Sequence, residues 1–193
     1  MINAETIIGT LLKPLIDDGT IGLYHYGNKH ELKEVCNSEN YQQNYPIVWL
    51  EMPFMGSSKD MVLKNTLECR LRLILGTSTR KEWLNPQRNI ETYDKVLNPL
   101  YDSIVTTFQT SQYIIIKNNE INVNKFPNFW EESQGTKEKP SKRIVNDYWD
   151  VIVMEFDCVL SEPFCLVPKL LFGNAVLVDG EAILIDNEAL FVT

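Results

Sequence analysis

The stretch Leu67–Leu75, with the sequence Leu-Glu-Cys-Arg-Leu-Arg-Leu-Ile-Leu, decides the fold. Every odd-numbered position in it is apolar, whereas Glu68, Arg70 and Arg72 occupy the other phase. Side chains of a strand alternate between the two faces of its sheet, so the pattern predicts one buried face and one polar face. Antiparallel sheets commonly leave one face solvated. We therefore expect Leu67–Leu75 to lie in an antiparallel sheet, with its polar face toward water or a partner.

Two further segments have the same character. Pro46–Phe54 is apolar at its even positions, and Pro53 indicates that an edge or a strand end is near. Tyr148–Leu160 is apolar in one phase and places Glu155 and Asp157 in the other. Together these segments predict a sheet of long strands.

Two amphipathic helices are predicted beside the sheet. Ile7–Ile16 has apolar residues at helical spacing after Asn3, a good N-cap, and Gly19 is placed to end that helix. The apolar ladder of Tyr93–Phe108 is longer and is interrupted by Pro99, which we expect to kink it. The predicted fold class is α+β, an antiparallel sheet with two main helices packed on one face.

The remaining segments are predicted to be less regular. We interpret Thr20–Tyr45 as one short strand and loop, with both histidines, His25 and His30, in loops. Tyr113–Lys117 and Ile121–Val123 are expected to form a hairpin around two asparagines. The polar run from Trp130 to Arg143 predicts a mobile loop that becomes ordered against a neighbour.

A C-terminal hairpin is predicted for Ala175–Ile185, because Asp179-Gly180 separates two apolar runs. We therefore divide the chain into an α+β domain over residues 1–162 and a C-terminal hairpin arm over residues 163–193. Apolar side chains fall on both phases of the hairpin, so we expect it to lie against another subunit or another protein. Two alternatives stay open, an edge of the main sheet and an arm that completes a neighbour's sheet.

Composition excludes several functional classes. The 193 residues include 18 Lys and Arg against 26 Asp and Glu, a formal charge of −8 that disfavours binding to nucleic acid or an anionic membrane. No apolar stretch approaches the ~20 residues of a membrane helix, and we expect synthesis in the cytoplasm. The four cysteines form no C-x-x-C pair, and Cys69 and Cys158 fall on apolar strand phases, as reduced core residues would. The sequence predicts no catalytic site, no metal site and no cofactor.

Four carboxylates lie on predicted strands, where a pair of them would suit glycoside hydrolysis. Each falls in the phase opposite the apolar face, which favours solvated or interfacial acids instead. Arg70 and Arg72 are then explained by ion pairing, either across strands or between subunits. The four acids are Glu51, Glu68, Glu155 and Asp157.

The order of these elements resembles the tail terminator, tail completion and head-tail joining ring proteins of tailed bacteriophages. The likeness rests on the Ile7–Ile16 helix, the strand entry Tyr45–Trp49, the Leu67–Leu75 strand leading to the Tyr93–Phe108 helix, and Asp147–Val151. The resemblance spans residues 3–160 and concerns the order of the helices and strands, without a strict sequence motif.

This resemblance implies a structural, non-enzymatic virion protein that assembles into a homo-oligomeric ring at the neck or tail end. Neighbouring portal, adaptor or tail proteins are then its partners, and DNA passes through the hole without specific binding. An acidic lining of the central hole agrees with this function, because it lacks the basic side chains that bind DNA phosphates. The alternative is a monomeric intracellular enzyme or binding module that acts on a small molecule or carbohydrate. The residues predicted at subunit interfaces are Arg70, Arg72, Trp130, Lys137, Lys139, Lys142, Arg143, Val176, Leu177, Ile183 and Ile185.

Overall fold

Two long antiparallel strands form the centre of the sheet in the computed structural model, which describes residues 3–37, 44–52, 56–57, 66–129, 148–161, 175–178 and 181–184. The helices are α1 (Ala4–Asp17), α2 (Lys29–Asn37), α3 (Asn85–Arg88) and α4 (Asn98–Thr110), with a π-helical segment, Asn89–Leu97, joining the last two. The strands are β1 (Leu23–Gly27), β2 (Ile47–Glu51), β3 (Gly56–Ser57), β4 (Thr66–Thr79), β5 (Ile114–Ile116), β6 (Asn122–Phe129), β7 (Tyr148–Ser161), β8 (Ala175–Val178) and β9 (Glu181–Leu184).

Strands β4 and β7 pair antiparallel along all 14 residues of each, from Thr66 opposite Ser161 to Thr79 opposite Tyr148. The sheet order is β1-β2-β4-β7-β5, with β3 also on β4 and β6 also on β7. The mixed α+β class predicted from sequence is confirmed, and Leu67–Leu75 lies inside β4 as expected.

The pairing differs from the prediction at both sides of the sheet. Strand β1 runs parallel to β2, so the sheet is not wholly antiparallel. Strands β5 and β6 do not form the expected hairpin, because both pair with β7, one after the other along it. Asn118 and Asn119 do take positive φ angles, 55° and 53°, in the 3-10 turn Lys117–Asn119 between them. That turn displaces the chain along the edge of β7 instead of reversing it.

Helices α1 and α4 pack on the same face of the sheet, as predicted. Ile8 and Leu12 of α1 join Leu100 and Ile104 of α4 in one buried cluster with the apolar phase of β4 and β7. The cluster also contains Leu71, Leu73, Ile152, Met154 and Phe156 from those strands. The apolar stripe of each helix is thereby removed from water by the sheet.

Helix α2 packs on the opposite face, within the segment Thr20–Tyr45 that was predicted to hold one short strand and loop but no helix. Its Leu32 joins Trp49, Trp149 and Val151 in a second buried cluster. Asn28 caps the helix, because its Oδ1 accepts from the backbone N–H of His30 at 2.8 Å and of Glu31 at 3.1 Å. His25 lies on β1 and His30 on α2, so the prediction that both are loop residues is wrong.

Pro99 is accommodated by a change of helix type. The π-helical segment immediately precedes it, and the backbone N–H of Asn98 reaches back to the carbonyl of Tyr93. Proline lacks the N–H that would continue the α-helical ladder, and a π-helical turn is one way to absorb that loss.

The predicted C-terminal hairpin is present as a two-stranded sheet of its own. Ala175 pairs with Leu184 and Val178 with Glu181. Ile185 lies outside the described residues, as does the proposed loop from Trp130 to Arg143.

Candidate subunit interface

The polar face of the central strands carries a network of ion pairs. Arg72 lies opposite Glu155 in the β4–β7 ladder, with its Nε 3.0 Å from that carboxylate, and it also pairs with Glu51 of β2. Arg70 Nη2 donates to the same Glu155 at 3.1 Å. The cross-strand ion pairs predicted for Arg70 and Arg72 are therefore present within one chain.

A second ion pair extends this face toward the 3-10 turn. Lys117 pairs with Glu68 of β4. Beside it, Arg70, Lys117 and Asp157 line a notch of about 120 Å³ where β7 passes from its contact with β5 to its contact with β6. Charges of both signs alternate here, so the face favours a polar, complementary contact over an anion site.

The β1 edge of the sheet is built differently. His25 stacks on the indole of Trp49, with ring centroids 5.1 Å apart and planes 9° from parallel. Trp49 Nε1 donates to the carbonyl of Gly27 at 3.0 Å. Gly27 has a φ of 150°, and a side chain there would collide with Glu31. The turn from β1 into α2 therefore requires glycine.

A shallow groove of about 580 Å³ lies between β1 and α2. Tyr26, 48% exposed, stands at its wall, and Met52 and Val35 add apolar surface. Glu31 and Glu34 make its rim acidic. An aromatic and apolar surface with an acidic rim suits a polypeptide segment bearing apolar and basic side chains.

The β5–β6 edge exposes a different set of apolar side chains. Ile115 is 65% exposed, Phe126 41% and Val123 40%. Pro127 lies in β6, as prolines in sheets do when they occupy edge strands. Lys125 is positioned by Asn98 Oδ1 at 3.0 Å and by the ring of Tyr93 at 5.1 Å.

A buried polar network secures this edge to the helices. Asp150 on β7 is fully buried and accepts from Arg88 Nη1 at 2.6 Å, from Thr92 Oγ1 at 2.8 Å and from the backbone N–H of Asn128 at 3.1 Å. Arg88, 2% exposed, also donates to Thr79 and to the backbone carbonyls of Trp83 and Arg80. The carboxylate thus joins the start of the long helix, strand β7 and the irregular end of β6.

This network was not predicted from the sequence, although a signal for it is present there. Asp150 shares its strand phase with Tyr148, Ile152 and Met154, the apolar phase of β7. An acid in such a phase needs a buried cation or several donors, because an unpaired buried charge is costly. The likewise missed helix α2 has the capping-box spacing Asn28-x-x-Glu31, whose Glu31 Oε2 accepts from the Asn28 N–H at 2.7 Å.

The other predicted interface residues are placed only in part. Val176 and Leu177 lie on β8 and Ile183 on β9. Trp130 and the basic residues Lys137, Lys139, Lys142 and Arg143 fall outside the described residues, together with Ile185.

Among the described residues, no three His, Cys, Asp or Glu side chains converge as the ligands of a metal ion would. No helix in the described ranges is long and apolar enough to cross a membrane. A comparison with models of protein families finds no match, and neither does a search of curated proteins.

Proposed function

We propose that the chain is a structural subunit of a ring at the neck or tail end of a tailed bacteriophage. The order of the described elements supports this proposal. A first helix, the strands β2 and β4, a long helix and the closing strand β7 follow one another as in the family that the sequence resembles.

The observation that carries the proposal is that, among the described residues, the sheet has two different edges on its opposite sides. The β1 edge exposes Tyr26 beside an acidic groove, and the β6 edge exposes Val123 and Phe126. Unpaired sheet edges are natural sites of strand addition. A subunit with two unlike contact surfaces joins its copies head to tail, and such contacts close into a ring when the rotation between copies allows it.

The backbone of β1 is oriented for such a contact. Leu23 N–H donates to Pro46, and the Gly27 carbonyl accepts from Met52, so the odd-numbered residues of β1 bond toward β2. The main-chain groups of Tyr24 and Tyr26 therefore point to the outer side of the sheet. His25 Nδ1 lies 2.8 Å from both the N–H and the carbonyl oxygen of Tyr26, and its tautomer decides which of the two it binds. A partner strand that pairs with Tyr26 must therefore displace the His25 ring.

Net charge agrees with passage of DNA through the ring. With 26 acidic against 18 basic residues, a ring of many copies is strongly anionic. DNA moves past such a wall without the phosphate contacts and counterion release that hold it to basic proteins.

Sedimentation and electron microscopy of two edge variants test the head-to-tail contact. Wild type is expected to form annular oligomers as its concentration rises. Tyr26→Asp and Phe126→Asp each introduce a charge into one edge and should stay monomeric alone. Mixed together, they should form a one-to-one dimer and no ring, because each variant keeps the edge that the other lacks.

Leu84→Asp is the matched control, since Leu84 is 73% exposed and lies on neither edge. It should assemble like wild type. A wild type that stays monomeric at every concentration, or a Phe126→Asp variant that assembles normally, contradicts the proposal. Unchanged melting temperatures of the variants establish that loss of assembly is not loss of folding.

The groove beside β1 favours one other function, that of a monomeric binding module. Its volume falls within the ~300–1,000 Å³ typical of small-molecule sites. In that case Tyr26→Asp should weaken binding of a small ligand, measured by calorimetry against a panel of sugars and amines, and wild type should sediment as a monomer.

A further inference from the structure

Cys69 and Cys158 face each other in the middle of the molecule. They are directly opposite residues on β4 and β7, and their Sγ atoms are 3.7 Å apart. Both are free thiols. We propose that this pair is a redox site, at which oxidation forms a reversible disulfide that cross-links the two central strands.

The Cα atoms of the two cysteines already have a separation that a disulfide allows. Ser161 N–H donates outward to Tyr113 on the β5 side, so the odd-numbered residues of β7 bond away from β4. Cys158 is even-numbered, and its main-chain groups therefore bond toward Cys69. Opposite residues in such a hydrogen-bonded pair have Cα atoms ~5.5 Å apart, inside the ~4.4–6.8 Å range of disulfides. Bond formation then requires rotation of the two side chains and a closer approach of their Cβ atoms.

The two thiols have unequal roles. The hydrogen bond from Cys158 lowers the pKa of Cys69, because it stabilises the thiolate of that residue. The same interaction, together with burial, raises the pKa of Cys158. The thiolate is the nucleophile in thiol chemistry, and Cys69, 4% exposed, is reached by a reagent before Cys158, which is fully buried. Exposure and the direction of the pKa shifts together make Cys69 the attacking residue and Cys158 the resolving one.

With a small-molecule disulfide as oxidant, the steps balance. The Cys69 thiolate attacks one sulfur of the oxidant, forms a mixed disulfide and releases one thiolate. Cys158 gives up its proton to that thiolate and attacks the Cys69 sulfur, which expels the second small thiolate. That thiolate takes up the proton that Cys69 had released to solvent. The protein loses two hydrogens, and the oxidant is reduced to two thiols.

The burial of the two cysteines explains why the disulfide would form slowly, and the distance between their Cβ atoms explains why it would be reversible. Cys69 is 4% exposed and Cys158 fully buried, so a reagent reaches them only when that end of the sheet opens. Opposite Cβ atoms in a sheet are ~4.5–5.5 Å apart, wider than the ~3.5–4.5 Å of a relaxed disulfide. A bond stretched across this ladder is readily reduced.

The experiment uses the full chain with Cys36→Ser and Cys165→Ser, which leaves only the proposed pair. The protein is incubated with oxidised glutathione, with and without urea below the unfolding transition, then denatured, alkylated and weighed. We expect two alkylation sites before oxidation, none afterwards and both again after dithiothreitol, with the mass of the monomer lower by two hydrogens. Peptide mapping should join Cys69 to Cys158.

A further substitution, Cys158→Ser, removes the resolving thiol and should stop the reaction at a glutathione adduct on Cys69. The oxidised protein should also have a higher urea midpoint than the reduced one, because a cross-link over 89 residues restricts the unfolded chain. Thiols that remain fully alkylatable in both arms, glutathione adducts on both cysteines, or a link between two chains would overturn the proposal.

Discussion

Substitution of Asp150 by alanine tests whether the buried network holds the helices to the sheet. The carboxylate accepts three hydrogen bonds, from Arg88, Thr92 and the backbone of Asn128, and it is fully buried. Its removal leaves the Arg88 guanidinium, 2% exposed, without a counter-charge. The three groups that lose their acceptor lie in three different elements, so we expect the substitution to destabilise the whole domain.

The magnitude follows from the burial of both partners. Breaking a buried ion pair by removing one member costs about 3–5 kcal/mol, because the remaining charge is uncompensated. Arg88 keeps three other acceptors, on Thr79, Arg80 and Trp83, which places the expected loss near the lower end of that range. A loss of about 3 kcal/mol is a large part of the ~5–15 kcal/mol that stabilises a typical domain.

Urea unfolding followed by tryptophan fluorescence measures this loss. Asp102→Ala is the matched control, since Asp102 is exposed on α4, and it should change the free energy of unfolding by less than about 0.5 kcal/mol. Arg88→Met with Asp150→Leu removes both charges and should be more stable than Asp150→Ala alone. A loss below about 1 kcal/mol for Asp150→Ala would refute the view that the network is a stabilising pair.

Three other outcomes are expected. Leu100→Ala should lower the free energy of unfolding by about 2–5 kcal/mol, because it opens a cavity beneath α4. The control Leu84→Ala, at an exposed site, should lower it by less than about 0.5 kcal/mol. Equal losses for the two variants in urea unfolding would contradict this prediction. Arg70→Ala should cost at most about 1 kcal/mol, less at high salt, since Arg70 is largely exposed; a loss above 2 kcal/mol would mean a stronger role. Deletion of residues 172–193 should leave the melting temperature nearly unchanged and abolish assembly, and an insoluble product would instead place the hairpin in the core.

The sequence predicted which face of each element is buried better than it predicted which elements pair with one another. Alternation in Leu67–Leu75 and Tyr148–Leu160, and the helical ladder of Tyr93–Phe108, identified most side chains of the larger buried cluster. They did not identify Trp149 and Val151, which are buried with Leu32 on the other face of the sheet. The polar phase holding Arg70 and Arg72 was likewise predicted to carry ion pairs, and the structure shows them. Burial of one face is a local property, because it depends on the period of apolar residues along a single element.

Only part of the candidate interface could be predicted from the sequence. The basic and C-terminal residues were chosen for composition, whereas the exposed Tyr26 and Phe126 became candidates only once β1 and β6 were seen at opposite sides of one sheet. Exposure of a single aromatic residue has no sequence signature, since it depends on what the rest of the chain covers.

By itself, then, the sequence determined the α+β class, the two helices on one face and the polar face of the central strands. Only the tertiary structure decided that β1 runs parallel to β2, that β5 and β6 share one edge of β7, and that Asp150 meets Arg88. It also decided that Cys69 lies opposite Cys158, 89 residues away. The physical reason is that strand pairing and buried ion pairs join residues far apart in the chain, and the backbone hydrogen bonds that set the register are the same for every residue type except proline.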